Sequence, residues 1–232
     1  MPNWVYNGLT IEGNPESVKS LIKQLDQPFK MVHDSWNMKT MAQEKKSVTY
    51  PHPIFAFWNI IKPTDMDAYT AQPAKWEGGP ITLEGNDWYN WNVRNWGTKW
   101  DVAVSAEDKY PDTTIEEAEN GENYVVHYNF NTAWGVAEQA ITNLSSQYPD
   151  LLFTLSYEEE TGWGGEAEFL RGTMISDSQY GWQCRECDHK EDESPWCEEC
   201  EYDMCPSCGY GEPDKICQTH SVESDTQLKE NA

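Results

Sequence analysis

Between residues 184 and 220 the chain carries four closely spaced ligand pairs: Cys184 with Cys187, Cys197 with Cys200, Cys205 with Cys208, and Cys217 with His220. Two residues separate the members of each pair, so one tight turn can aim both donors at a single ion. All seven cysteines of the protein fall in this run. The eight donors match what two closed tetrahedral zinc sites require. A closed site leaves no open position for a substrate, so the expected role of both ions is to hold the fold. An iron–sulfur cluster is the competing chemistry, but the histidine of the last pair and the regular spacing favour zinc. Two pairings are open. In the sequential one, the first two pairs hold one ion and the last two the other. In the cross-braced one, the first pair joins the third and the second joins the fourth.

Disulfides would need an oxidising compartment. The opening MPNWVYNGLTIEG has no basic segment and no long apolar run that would direct export. No stretch approaches the length of a membrane span. A cytoplasmic protein is therefore expected, with its cysteines reduced and metal-bound.

Charge narrows the partners. Sixteen Lys and Arg stand against forty Asp and Glu, a net of −24. Both parts are acidic: 12 basic against 26 acidic residues over 1–180, and 4 against 14 over 181–232. Ligand cysteines deprotonate on binding metal, so two zinc ions would bring the formal charge to about −27. Such a surface repels phosphate backbones and anionic membranes. Direct binding of nucleic acid or membrane is disfavoured, and a protein partner with a basic surface or peptide is favoured.

Hydrophobic spacing supplies the architecture. Residues 3–13 alternate as a strand, with Val5, Leu9 and Ile11 against Trp4, Tyr6 and Thr10. Asn14 as cap, Pro15 at the first helical position and Glu16 in the first turn start a helix carrying Val18, Leu21, Ile22 and Leu25. Residues 29–87 read as a long insertion packed by aromatics, with a short helix near Pro53–Ile61. In WYNWNVRNWGTKW, Trp88, Trp91 and Trp96 fit a helix face leading into a strand over Lys99–Ser105, with Trp100, Val102 and Val104 turned inward. Core filling is the expected use of these tryptophans, and an aromatic binding groove the alternative.

Residues 107–121 read as an acidic loop. A strand follows over Tyr124–Phe130, then a helix capped by Thr132 with Trp134, Ala137, Ile141 and Leu144 on one stripe. Leu151–Tyr157 forms a further strand, and Glu166–Arg171 pairs back on it as a hairpin. Thr173–Tyr180 reads as a linker. The order gives an α+β fold, a ferredoxin-like split βαβ sandwich with a long insertion, followed by a small zinc-stabilised module. The expected boundaries are 1–174 for the ferredoxin-like domain, 181–220 for the two-zinc module and 221–232 for a disordered tail. One sheet face is left uncovered by helices, and alternation assigns Trp4, Tyr6, Asp101, His127 and Glu158 to it.

Two stretches carry family resemblances. Met1-Pro2-Asn3-Trp4-Val5-Tyr6-Asn7, Asn95-Trp96-Gly97-Thr98-Lys99-Trp100-Asp101 and the elements after Phe130 resemble the phage and plasmid proteins with a YubB ferredoxin-like domain, over about residues 1–172. That resemblance implies an accessory protein of a mobile element acting in a bacterial host cytoplasm. It transfers no catalytic residue. The segment Cys200-Glu-Tyr-Asp-Met-Cys205-Pro-Ser-Cys208 resembles the core of ZZ-type zinc fingers, which are cross-braced protein-interaction modules. ZZ fingers usually end in two histidines, whereas this segment ends in Cys217 and His220.

Three functions fit. The first is a non-catalytic, zinc-binding accessory protein that engages a host or phage protein through Glu199, Glu201 and Asp203, with Trp4 and Tyr6 as further contacts. The second is an acidic DNA mimic that blocks a DNA-binding enzyme. The third is an enzyme using His127 near Asp101 and Glu158 as an acid–base group. The chain lacks a phosphate-binding glycine loop, Gly-x-Ser-x-Gly and His-Glu-x2-His, which weighs against the third.

Overall fold

The structure is a computed structural model that describes residues 3–71, 83–183, 190–191, 196–197 and 202–203. The chain divides into two compact units: Met1–Tyr157 with Glu166–Asp177, and Glu158–Gly165 with Ser178–Ala232.

Strand β1 (Trp4–Gly13) buries Val5, Leu9 and Ile11, as alternation requires. Helix α1 (Pro15–Leu25) starts where the sequence signals it. Asn14 accepts from the Glu16 N–H at 2.9 Å, and Pro15 occupies the first turn. After a long interruption come β4 (Thr114–Asn120), β5 (Asn123–Ala133), α4 (Glu138–Gln147), β6 (Leu152–Glu159), β7 (Gly164–Leu170) and β8 (Thr173–Tyr180). The sheet order is β4-β5-β1-β6-β7-β8. Its first four strands, with α1 and α4 as the two crossovers, form the ferredoxin-like split βαβ, and β7 and β8 extend it by a hairpin. The core is made by inward residues of β1, β5 and β6 against Val18, Leu21 and Leu25 of α1 and Ala140, Ile141 and Leu144 of α4.

Four sequence expectations are corrected. The strand between the insertion and β5 is β4, not Lys99–Ser105, which carries no strand. β4 reads TIEEAEN and is exposed at nearly every position, because it is an edge strand held by β5 alone. Its carboxylates protect the open edge, and they also mask the strand signal. Thr173–Tyr180 is likewise an outer strand rather than a linker, so a boundary at 174 would cut β8. Thr132 does not cap a helix. It belongs to β5, its hydroxyl donates to the Gly135 carbonyl at 2.7 Å, and α4 begins only at Glu138. Trp134 accordingly leaves the helical stripe and is 51% exposed.

The interruption between α1 and β4 contains more order than its composition suggests. β2 (Phe29–Asn37) and β3 (Ala42–Tyr50) pair antiparallel as a separate ribbon, with Phe29 stacked on Tyr50 at 4.5 Å. The short helix expected near Pro53–Ile61 is a single 3₁₀ turn at Phe57–Asn59. Helix α2 (Met66–Thr70) and helix α3 (Trp88–Trp96) follow, the latter on the expected tryptophan face. Phe55 and Phe57 reach from this region into the core against Phe130.

In the second unit, β9 (Trp182–Gln183) pairs antiparallel with β10 (Lys190–Glu191), and β11 (Trp196–Cys197) with β12 (Tyr202–Asp203). Lys190 lies over the Tyr180 ring at 4.2 Å.

Candidate functional site

The NWGTKWD stretch is the hinge of the site, and each residue from Trp96 onward has a defined place. Trp96 closes α3, is buried, and donates from Nε1 to the Ile61 carbonyl at 3.1 Å. Gly97 caps the helix with φ +85°. A side chain there would be strained, and its Cβ would also meet the Val136 carbonyl. Thr98 is buried and exchanges hydrogen bonds with the backbone of Ala133: its hydroxyl donates to the carbonyl at 3.0 Å and accepts from the N–H at 3.1 Å. The end of α3 is thereby fastened to the end of β5.

This junction presents Lys99, Trp100 and Trp134. The Lys99 ammonium lies 4.2 Å from the Trp134 ring centroid, 4.7 Å from Trp100 and 6.0 Å from Tyr89 of α3. Burial pulls its pKa below the usual lysine range. Trp134 holds φ +69°, which a bulky residue rarely adopts. Its N–H donates to the Asn3 carbonyl at 3.0 Å, so the strained turn is held by the start of β1. Trp4 packs on Trp100 with ring centroids 6.1 Å apart. Trp100 remains 40% exposed and Tyr6, next on the same face of β1, 50%. The inward role expected for Trp100 is therefore corrected: it forms a surface wall.

Beside this wall lies a cleft of about 200 Å³, lined among others by Trp4, Trp100, Asp101, Asp108, Tyr110 and Asp112. Among the described residues, no basic side chain lines it. Asp101, expected on the open sheet face, instead turns to the insertion. Its carboxylate accepts from the N–H groups of Phe57, Trp58 and Val102 at 2.8, 2.9 and 2.8 Å. Desolvation by burial outweighs these hydrogen bonds and pushes its pKa up to about 6. The folded state therefore binds this proton more tightly than the unfolded chain does. The ionised carboxylate weakens the fold above pH 6, and that penalty fades as pH falls toward 4. Asp101→Asn should remove the effect. Lowering pH from 7 to 5 should raise the stability of the parent relative to this variant by on the order of 1 kcal/mol. Urea unfolding of both proteins at the two pH values measures it, and a parent that loses ground on acidification contradicts it.

The open face continues from Tyr6 through Gly8 and Thr10 of β1, opposite Asn131, Asn129 and His127 of β5. His127 Nδ1 lies 3.0 Å from Thr10 Oγ1, and Nε2 lies 3.1 Å from Asn129 Oδ1. An Nε2–H tautomer satisfies both contacts, with the Thr10 hydroxyl donating to Nδ1. Both ring nitrogens are thus engaged by neutral groups. Asp101 is committed to the backbone N–H groups of Phe57, Trp58 and Val102, so it does not take the acid–base role expected of it beside His127. Glu158 lies near the end of β6, in the second unit.

Of the expected metal ligands, Cys184, Cys187, Cys200, Cys205, Cys208, Cys217 and His220 lie outside the described residues, as do the partner residues Glu199 and Glu201 and the tail 221–232. The backbones of Cys197 and Asp203 are described, on the paired strands β11 and β12. In sequence, Cys184 and Cys187 fall between the paired strands β9 and β10, and Cys200 falls between β11 and β12. Sequence reasoning singled out Trp4 and Tyr6 but missed Lys99, Asp108, Tyr110, Asp112 and Trp134. The signal was in the chain for Trp134, which directly precedes a glycine between a strand and a helix.

The fold and these sites define a ferredoxin-like α+β domain with an elaborated aromatic edge. Residues 99–197 match the family model described as the ferredoxin-like domain in Api92-like protein. The fold implied by the sequence resemblance holds, while the matching family is Api92-like and its match covers the second half of the domain, β8, the first cysteine pair and Cys197. A crystal structure of protein api92 from Yersinia pseudotuberculosis aligns with 79% of this chain and all of that chain, at 10% identity and a TM-score of 0.41. That likeness is too loose to bear on function. No curated protein matches. Neither the family description nor the neighbour's title names a reaction. Among the described residues, no helix is long and apolar enough to cross a membrane.

Proposed function

We infer that the protein is a zinc-stabilised accessory protein of a phage or other mobile element, working in the bacterial cytoplasm by engaging a basic host or phage protein. The observation that carries this reading is the exposed aromatic wall of Trp100, Trp134 and Tyr6 on a molecule of net charge −24. Exposed tryptophan and tyrosine are the residues that anchor protein interfaces. The acidic surroundings select a basic partner and discourage nucleic acid.

Seven thiolates and one imidazole form a donor set suited to two zinc ions and poorly suited to hard cations. The paired strands that bracket the first cysteine pair, and the second ribbon that carries Cys197, are compatible with short ribbons gathered around metal. The ions would supply shape, and Glu199, Glu201 and Asp203 would supply charge for the partner.

The test is a triple reversal, Glu199→Lys, Glu201→Lys and Asp203→Lys, followed by capture from host cells. Partner recovery should fall at least tenfold while zinc content stays at two. Unchanged recovery by the reversed variant, with chelation still abolishing it, would mean that the module acts through shape alone. Recovery of a DNA-binding enzyme that is lost steeply as salt rises would favour the DNA-mimic reading.

A further inference from the structure

We propose that the cleft beside the packed pair Trp4 and Trp100 receives an arginine side chain of the partner. The proposal rests on the reading of the protein as a binder of a basic partner, and it adds a contact in the first unit that is separate from the carboxylates of the zinc segment.

The cleft joins two features that a guanidinium uses together. One wall is the packed indole pair Trp4 and Trp100, and Trp100 already attracts one cation, Lys99, at 4.7 Å from its ring. Its rim is anionic. Asp108 and Asp112 are exposed, and Asp112 makes no ion pair among the described residues. Asp108 accepts from the Ser105 N–H through Oδ2, and among the described residues no hydrogen bond reaches Oδ1. Asp101 is already committed to backbone donors, so it contributes negative potential rather than a free oxygen. Among the described residues no basic side chain in the lining competes for the carboxylates.

A volume of about 200 Å³ admits one side chain, not a folded segment. A planar guanidinium can stack on an indole while its fork of N–H groups meets a carboxylate. An ammonium offers a point charge and no stacking plane, so arginine should be preferred to lysine. Tyr110, 91% exposed beside the cleft, provides a second aromatic contact for the backbone that carries the arginine.

The experiment uses the full-length protein as purified, labelled with ¹⁵N, and follows its indole N–H signals by NMR. The probes are four capped Gly/Ser peptides, each with one central residue: arginine, lysine, citrulline or glutamate. The arginine peptide should shift the Trp4 and Trp100 signals, bind at least threefold more tightly than the lysine peptide, and leave the citrulline and glutamate peptides without effect. Asp108→Asn with Asp112→Asn should weaken arginine binding at least tenfold. The same charge change made elsewhere, Glu119→Gln with Glu166→Gln, should alter it less than twofold.

Citrulline binding as well as arginine, equal effects of the two double variants, or no peptide shifting either signal would each overturn the proposal. If the Asp108/Asp112 variant captures the cellular partner normally while the zinc-segment reversal does not, the cleft proposal falls and the broader reading stands. If neither variant affects capture, the cleft proposal falls and the partner is not held by charge; capture that chelation still abolishes then leaves the zinc module acting through shape alone.

Discussion

Phe55→Ala should destabilise the protein by about 3–5 kcal/mol, the loss expected when a fully buried phenylalanine is removed from a core that cannot collapse around the gap. Phe55 is completely buried and comes from the insertion rather than from the ferredoxin-like elements. Its ring stacks on Phe130 at 4.9 Å, packs on Tyr128 at 5.0 Å and meets Phe57 edge-on at 5.6 Å. Phe130 and Tyr128 lie on β5, in the sheet. The residue before it, Ile54, has φ +63°, an outlier for a β-branched side chain. That strained turn is held by Asp26, whose carboxylate accepts from the Ile54 N–H at 3.0 Å. The insertion is thus part of the domain core, and urea unfolding of the full chain should show one lowered transition for β1–β7 in the variant. Phe55→Leu, which keeps most of the volume, should lose markedly less. A loss below about 1 kcal/mol for the alanine variant would mean that the insertion packs on a finished core without completing it.

How far the sequence could be read depended on where each residue's partner lies. β1, α1 and the strands from Tyr124 and Leu151 were legible because one face of each is buried against a continuous core, which imprints a period. β4 and β8 are outer strands with both faces largely wet, so no period exists to be read. The ribbon β2–β3 pairs with itself; β3 is exposed at most described positions and β2 is only half-buried. Trp100 and Asp101 misled for a different reason. An apolar residue next to a carboxylate in an aromatic run looks like a strand with one face inward. The actual path is set by the Gly97 cap, by the Thr98–Ala133 clasp and by the backbone donors of Phe57 and Trp58, and the last two are not local signals. The candidate site was half legible: Trp4 and Tyr6 follow from β1 alternation, while Lys99 meets Trp134, and Asp108 and Asp112 line a cleft with Trp4, only through long-range packing.

Metal removal is the second large effect. The segment from 181 to 220 has few apolar residues with which to build a core: Trp182, Trp196, Tyr202, Met204, Tyr210 and Ile216. A unit of about forty residues cannot ordinarily fold on so little burial. Zinc binding to structural sites is worth about 10–16 kcal/mol at neutral pH in zinc-finger peptides, and that energy is folding energy. A strong chelator should therefore abolish amide-exchange protection across β9–β12 and leave the protection of β1 and β5 in place. Replacement of any one ligand pair by serine should do the same to the ion it serves. The pattern of residual zinc in paired variants would also separate sequential from cross-braced pairing. Double substitution of the first and third pairs leaves one ion if the sites are cross-braced and none if they are sequential.

The metal content of the chain is the most direct test of a two-zinc module. Native mass spectrometry of the full-length protein, with elemental analysis of the same sample, should show two zinc ions per chain and the loss of the corresponding cysteine protons. A single zinc, a coloured iron cluster, or a metal-free chain with seven reactive thiols would contradict the two-site reading.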